Sequence, residues 1–416
     1  MLINYLKLTY KVLLRRKFFT AVSLFAISFT LVVLVVGSAM LDHLFGPHHP
    51  DIYADRSVGV YGVTASKSFP DGGLMTTNGF GGYYFLDQHV RTLEGAHFIT
   101  LSSTTSSTFS YHRGSKIKIY KKYVDPNFWK VFDITLKQGR LLNEDDEKNQ
   151  NPVAVINEST AKVFFGTESA LNQIIEFDGL RLTIVGITEN IPFLRQIPFS
   201  DVWVPMSLVP NINLNRDLVG DFTATIVAKD ASDIPGIQKQ LDDKIKNFQF
   251  PDGKFDTIVT KAETLFDYVS RTMFDDRSTN SKSAGLLGLL ILIAILFMLL
   301  PTINLININV SRIYERSSEI GVRKAFGASS FQLVKQFLVE NIVITFLGGI
   351  FGFILSSIIL EFINSTNWIL YSDFSINYRI FVYGFLMTLF LGLISGVYPA
   401  WKMSRMNPVD ALKGTR

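Results

Sequence analysis

Four long stretches of the chain carry almost no charge: residues 18–41, 284–311, 342–360 and 380–403. Each reaches or approaches the ~18–20 apolar residues that cross ~30 Å of hydrocarbon. They predict four transmembrane helices, one ahead of a long polar region and three after it. That region, 42–283, has the mixed periodicity of a folded α+β domain. Strand patterns fall at 57–63, 97–111, 116–124, 153–157, 174–177, 181–188, 202–205, 223–229 and 257–261. Lys116, Ile117, Lys118, Ile119 and Tyr120 alternate with the period of two that marks a half-buried strand. Phe177-Asp178-Gly179-Leu180 reads as a tight hairpin, because Asp-Gly suits a two-residue turn. Helical patterns fall at 83–93, 126–131, 158–165 and 234–248, the last with Ile237, Leu241, Ile245 and Phe248 on one face. The expected fold is a membrane protein with four transmembrane α-helices (one plus three) and a large α+β extracytoplasmic domain.

Charge sets the orientation. Lys7, Lys11, Arg15, Arg16 and Lys17 precede the first span, Arg312, Arg316, Arg323, Lys324 and Lys335 follow the second, and Lys402, Arg405, Lys413 and Arg416 follow the fourth. The loop at 361–379 holds only Arg379. By the positive-inside rule both termini and the segment 312–341 are cytoplasmic, and 42–283 lies outside. Residues 1–17 read equally as an amphipathic helix on the inner membrane surface, with Leu2, Ile3, Leu6, Tyr10, Leu13 and Leu14 on one face, or as an extension of the first span. The net charge of +4 then describes no single surface and gives no sign of nucleic-acid binding. Cysteine is absent, which excludes disulfides and thiolate metal sites.

Candidate chemistry in the polar region is sparse. His43, His48 and His49 lie in an entry loop without a carboxylate cluster, so no metal site is expected. The acidic run Glu144, Asp145, Asp146 and Glu147 lacks EF-hand spacing and reads as a solvated turn. The glycine-rich stretch 72–82 reads as a mobile external loop or an interaction surface. No G-x-S-x-G, H-E-x-x-H or G-x-x-x-x-G-K-S/T occurs anywhere in the sequence. In the second span, Pro301 removes a backbone hydrogen bond, and Asn304, Asn307 and Asn309 need partners on neighbouring helices. Small residues recur at steps of four in the third span (Gly348, Gly352, Ser356) and the fourth (Thr388, Gly392, Gly396, Ala400). That spacing lets helix backbones approach closely, within one chain or between two.

The remaining feature is a polar, helix-forming stretch between the second and third spans. Arg312 and Glu315, and Glu319 and Arg323, pair at helical spacing; Gly327 is a natural stop, and Ser329 with Gln332 forms a capping box for the next helix. The run Glu315-Arg316-Ser317-Ser318-Glu319-Ile320-Gly321-Val322-Arg323-Lys324-Ala325-Phe326-Gly327-Ala328 resembles the cytoplasmic signature of MacB/FtsX-type (type VII) ABC transporter permeases. The tail from Tyr398-Pro399-Ala400-Trp401-Lys402 to Asn407-Pro408-Val409-Asp410-Ala411-Leu412 resembles that family's C-terminal end. Gln138-Gly139-Arg140 and Val153-Ala154-Val155-Ile156-Asn157-Glu158 resemble its periplasmic core domain.

The resemblance implies the layout 1–17 amphipathic helix, 18–41 first span, 42–283 external domain, 284–311 second span, 312–341 coupling segment and start of the third-span helix, 342–360 third span, 361–379 external loop, 380–403 fourth span and 404–416 tail. The external domain would have a porter-like part near 50–124 and 220–262 with a second subdomain inserted near 125–215. The resemblance further implies that Glu315, Arg316, Glu319, Ile320, Gly321, Arg323, Lys324, Ala325, Gly327 and Ala328 couple to an ABC ATPase subunit. That partner binds ATP and Mg; this chain binds no cofactor or metal and is not itself an enzyme. A helix-packing role falls to Gly348, Gly352, Gly392 and Gly396, and the C-terminal motif is Pro399, Ala400, Pro408, Ala411 and Leu412. Other implied partners are a second permease copy or paralogue, a periplasmic adaptor with an outer-membrane channel, and the lipid bilayer of a bacterial inner membrane. The implied function is mechanotransmission: ATP hydrolysis in the partner moves the external domain, for efflux or for lipoprotein or peptide handling. A membrane-anchored binding or sensory module without nucleotide coupling is the alternative.

Overall fold

The computed structural model describes all residues except 1, 16, 213–215, 251–252, 275–281, 316–321, 323–329, 367 and 405–416. The chain divides into two units: a membrane unit of residues 1–42, 287–368 and 374–416, and an α+β unit of residues 43–286 with 369–373.

In the membrane unit, α1 (Leu2–Arg15) precedes α2 (Lys17–Phe45), the first helix long and apolar enough to cross a bilayer. Leu13 on α1 is buried with Ile27 and Leu31 of α2 and with Ile344, whereas Tyr10 and Leu14, assigned to the same face from sequence, are exposed. The face that packs is therefore narrower than the apolar stripe. The other long helices are the second (Ser283–Glu315), the third (Ser330–Thr366) and the fourth (Tyr378–Ser404). The third runs 37 residues, which at ~1.5 Å per residue is about 55 Å, well beyond the ~30 Å of hydrocarbon. It starts within 312–341, as expected, and runs six residues past the expected end of the span at 360.

The α+β unit is built on a mixed sheet of fourteen strands. These are β1 (Ser57–Val60), β2 (Val63–Ser68), β3 (Leu74–Gly81), β4 (Ala96–Ser103), β5 (Ser106–His112), β6 (Ser115–Val124), β7 (Leu136–Gly139), β8 (Val153–Asn157), β9 (Ile174–Phe177), β10 (Leu180–Thr188), β11 (Val202–Pro205), β12 (Val219–Gly220), β13 (Phe222–Ala228) and β14 (Thr257–Thr260). The path runs β14-β2-β3-β13-β4-β6-β11-β8-β10-β7, with β1 on β13, β12 on β3, β5 on β6 and β9 on β10. Two links in that path are single residue pairs, Phe222 with Gly81 (beside the two pairs of β12) and Ser102 with Val124, so the sheet narrows between blocks.

Each block has its own core. One gathers Val58, Val60, Phe85, Leu86, Leu101, Ile226 and Leu241, under α3 (Tyr83–His89) and α7 (Ile234–Lys246). A second gathers Ile156, Phe164, Ile175, Leu182, Ile184 and Val204 under α6 (Glu158–Phe165). A third, aromatic core joins Phe128, Phe132, Phe199 and Trp203, beside α4 (Phe128–Val131). The Asp-Gly turn is as expected: Phe177 faces Leu180, and Asp178 and Gly179 have φ of 49° and 77°.

Several expectations need correction. The glycine-rich stretch 72–82 is not a loop; residues 74–81 form β3, paired with β2 from Gly79 opposite Val63 to Leu74 opposite Ser68. The acidic run is not a solvated turn. It forms α5 (Glu144–Lys148) with a capping box between Asn143 and Asp146, and Asp146 is 1% exposed because Arg140 and Asn151 bond its carboxylate. The strand expected over 97–111 is two, β4 and β5. A helix not expected, α8 (Leu265–Met273), closes the unit, capped by the Thr264 hydroxyl on the Asp267 amide. Finally, the α+β unit takes in residues 369–373, which lie in the segment read as a simple external loop.

Candidate functional site

We number the long helices α9 (Ser283–Glu315), α10 (Ser330–Thr366) and α11 (Tyr378–Ser404). The polar stretch singled out in the sequence joins α9 to α10. Glu315 is the last residue of α9. Val322 is helical and 44% exposed. Arg316, Glu319, Ile320, Gly321, Arg323, Lys324, Ala325, Gly327 and Ala328, with the capping Ser329, lie outside the described residues. So do Pro408, Ala411 and Leu412, whereas Pro399 and Ala400 belong to α11.

What the described residues define is the machinery on either side. Gly348 and Gly352 sit where α10 meets α2: a Cβ on Gly348 would lie 2.6 Å from Ile27 Cγ2, and one on Gly352 would lie 3.0 Å from Leu31 Cβ. The Ser28 hydroxyl donates to the Gly348 carbonyl at 3.0 Å, a polar contact that only this close approach permits. Gly349 meets the Phe385 ring and Gly392 meets Thr345, so α10 also packs tightly on α11. Gly396 lies one turn further along α11. Gly348→Val is expected to lower the thermal midpoint of the detergent-solubilised protein by an overpacking penalty of about 1–3 kcal/mol. Gly384→Ala, where the nearest atom to a new Cβ is 3.7 Å away, is expected to leave it unchanged.

Helix α9 differs. Leu287, Ile291, Leu292, Ile295, Leu296 and Phe297 are exposed. Asn304 and Asn307 are exposed as well, so these two amides are not buried against the described neighbouring helices of the same chain, contrary to expectation; the side chain of Asn309 lies outside what the structure describes.

Beyond α10 the chain enters the α+β unit. Asn364 closes the neck of this loop: its side chain donates to the Phe374 carbonyl at 3.0 Å and accepts from the Phe374 amide at 2.9 Å. Within the α+β unit, the Phe193 amide donates to the Leu370 carbonyl at 2.9 Å. The Tyr371 hydroxyl donates to Asp201 Oδ1 at 2.8 Å. Asp201 also accepts from Asn157 Nδ2 at 3.0 Å and, through Oδ2, from the Tyr120 amide at 2.9 Å. Burial holds its carboxyl above the ordinary range, and the Tyr120, Tyr371 and Asn157 donors offset part of that rise. Tyr371 takes φ of +55°, a left-handed backbone that L side chains rarely adopt, which these bonds and the Phe199 ring hold in place. No sequence pattern flags this cluster, since its members come from β6, β8, the 193–201 segment and the α10–α11 connection.

A buried ion pair lies elsewhere in the α+β unit. Arg195 donates through Nη1 to the Gly46 carbonyl at 2.9 Å and to Asp51 at 3.3 Å, beside a cavity of about 280 Å³. Burial pushes Asp51 up to about 6, against the pull of Arg195. Among the described residues, no group of three or more histidine, aspartate or glutamate side chains is placed to hold a metal ion.

Among the described residues, four membrane-length helices, with a large α+β domain between the first and second and a tightly packed α2–α10–α11 group, define a polytopic membrane protein with a single large α+β domain. Residues 23–244 match the MacB-like periplasmic core domain, and residues 291–408 match the FtsX-like permease C-terminal domain. The chain belongs to this MacB/FtsX-like family of ABC transporter permeases. It is 26% identical over 317 residues to the macrolide export ATP-binding/permease protein MacB of Mannheimia succiniciproducens, covering 76% of this chain and 46% of that protein. It is 22% identical over 325 residues to the uncharacterized ABC transporter permease YknZ of Bacillus subtilis, covering 78% of this chain and 77% of that protein. The periplasmic region of MacB from Actinobacillus actinomycetemcomitans aligns at 18% identity over 54% of this chain and 94% of that one, with a TM-score of 0.39. The chain thus spans under half the length of the MacB relative it matches.

Proposed function

We propose that this permease works by mechanotransmission: an ABC ATPase that binds ATP and Mg acts on the stretch between α9 and α10, and the helices carry the resulting displacement to the α+β domain. The observation that carries this reading is α10. It starts directly after that stretch, runs unbroken for 37 residues, and leads into a loop whose Leu370 and Tyr371 are bonded inside the α+β unit. A continuous helix is stiff along its axis, so displacement at one end is passed on rather than absorbed.

Charge asymmetry supports a reading in which the stretch and both termini are cytoplasmic and the α+β domain lies outside, the chain sitting in the inner membrane of a bacterial cell. The second permease copy is assigned to α9, whose exposed apolar face and exposed Asn304 and Asn307 suit a partner helix better than lipid alone. The cargo classes that fit are small molecules for efflux and lipoproteins or peptides taken from outside the membrane. A periplasmic adaptor and an outer-membrane channel complete the efflux version.

The test is the double variant Glu319→Arg with Gly327→Pro. It reverses a charge in the stretch and removes its glycine stop while leaving all four spans intact. Co-purification with the ATPase is expected to be lost and membrane insertion retained. Unchanged ATP-dependent activity would overturn the coupling role, and the chain would then read as a membrane-anchored binding module.

A further inference from the structure

A second cavity in the α+β unit, of about 160 Å³, lies between α3 and the segment that follows α7. Its wall is almost wholly aromatic: Tyr84, Phe85 and His89 from α3 face Phe248, Phe250 and Phe255. The Phe248 ring is at the centre, 5.9 Å from Phe85, 5.1 Å from His89 and 5.0 Å from Phe250. Phe85 is fully buried and serves as the floor, while Tyr84 is 37% exposed at the mouth.

The rim carries positive charge. The Arg216 guanidinium lies 5.4 Å from the Tyr84 ring centroid, which fixes it at the mouth. Lys254 also lines the pocket, two-thirds exposed and 3.9 Å from Asp217. Lys244, which does not line the pocket, bonds the His89 carbonyl at 3.2 Å and the Thr92 hydroxyl at 2.6 Å. Burial and Lys244 hold His89 below its ordinary range, so the imidazole adds a neutral aromatic wall at neutral pH.

Volume narrows the occupant. Sites for whole small molecules run to ~300–1,000 Å³, and this one is about half the lower figure. It has room for one large apolar side chain. Aromatic-walled pockets that take a single side chain, ringed by polar groups, are what concentrates energy in protein–protein interfaces. Two lining cations, Arg216 and Lys254, against the single carboxylate of Asp217 favour carboxylates beside that side chain and disfavour lysine or arginine.

We propose that this pocket is a docking site for another protein, which inserts one phenylalanine or leucine side chain flanked by acidic residues. The apolar side chain fills the space in front of Phe248, and the flanking carboxylates meet Arg216 and Lys254. The site requires no nucleotide coupling and stands whether or not the preceding functional reading holds.

The experiment uses the full chain in lipid nanodiscs and three short fluorescent peptides. One has a central phenylalanine flanked by aspartate and glutamate, one has the same phenylalanine flanked by lysine, and one has alanine in the acidic frame. The acidic phenylalanine peptide is expected to bind saturably and at least about tenfold more tightly than either of the others. Phe250→Ala is expected to abolish that advantage. Arg216→Glu with Lys254→Glu, which leaves the aromatic wall in place, is expected to reverse the charge preference. Equal binding of the acidic phenylalanine and alanine peptides would reduce the site to unspecific attraction and overturn the proposal. So would indifference to the charge reversal, or no saturation by about 1 mM. Competition by free phenylpropionate as strong as by the peptide would reassign the pocket to a small apolar acid.

Discussion

Replacement of Lys122 by methionine is expected to raise the stability of the α+β domain at pH 7 by roughly 2–4 kcal/mol. Lys122 is 2% exposed on β6, and its ammonium donates to the Ser103 carbonyl at 2.9 Å. Burial alone pushes it down to about 7, from 10.5. The unfolded chain therefore holds this proton up to about pH 10.5 and the folded chain only up to about 7. Between those values the unfolded state binds more protons, so stability rises with pH. The rise across the full window is roughly 5 kcal/mol at ~1.4 kcal/mol per pH unit. Below pH 7 both states are protonated and this group contributes no slope. The methionine variant keeps the shape, loses one hydrogen bond worth about 1 kcal/mol and removes the buried charge. Guanidinium titrations followed by Trp203 fluorescence should show a midpoint that climbs from pH 7 to 10 in the parent and stays flat in the variant. A flat parent curve would show that Lys122 is not held neutral by burial.

Replacement of Asp201 by alanine is expected to act in the opposite direction and by about 3–5 kcal/mol. Three donors, the Tyr120 amide, Asn157 Nδ2 and the Tyr371 hydroxyl, lose their acceptor at a position only 6% exposed. A buried donor left unpaired costs about 1–3 kcal/mol. Tyr371→Phe removes only one of the three bonds and is expected to cost about 1 kcal/mol. Hydrogen exchange separates the two roles of the cluster. Both variants should speed exchange at residues 369–373, whereas only Asp201→Ala should also speed it at the Tyr120 amide. Slow exchange at 369–373 in both would mean that the loop is held by Leu370 and Phe193 alone.

The elements that the sequence discloses are those with a strong local period. The four apolar runs give the long helices, and the hairpin at Asp178-Gly179 is readable because two adjacent positive-φ residues have one common solution. β3 escapes notice because Thr76, Thr77, Asn78 and Gly79 lack the branched apolar alternation of a half-buried strand, and most of that strand is exposed. Asp146 looks like one of four interchangeable carboxylates, and only the return of Arg140 six positions earlier distinguishes it. The Asp201 cluster draws Tyr120, Asn157 and Tyr371 from positions up to 251 residues apart, so no window of sequence contains it. The amides of α9 carry a different lesson. Composition says that Asn304 and Asn307 require partners, but not whether those partners belong to the same chain.

The loop anchored by Tyr371 also means that the α+β domain is not one stretch of polypeptide. The chain passes between the two units after residues 42, 286, 368 and 373. A fragment cut to 43–286 would lack the segment that covers Phe193 and Asp201, leaving an apolar and acidic scar where Leu370 and Tyr371 belong. A soluble version faithful to the native surface needs residues 369–373 grafted back, and a binding partner screened against the shorter fragment would meet a face that the intact protein never presents.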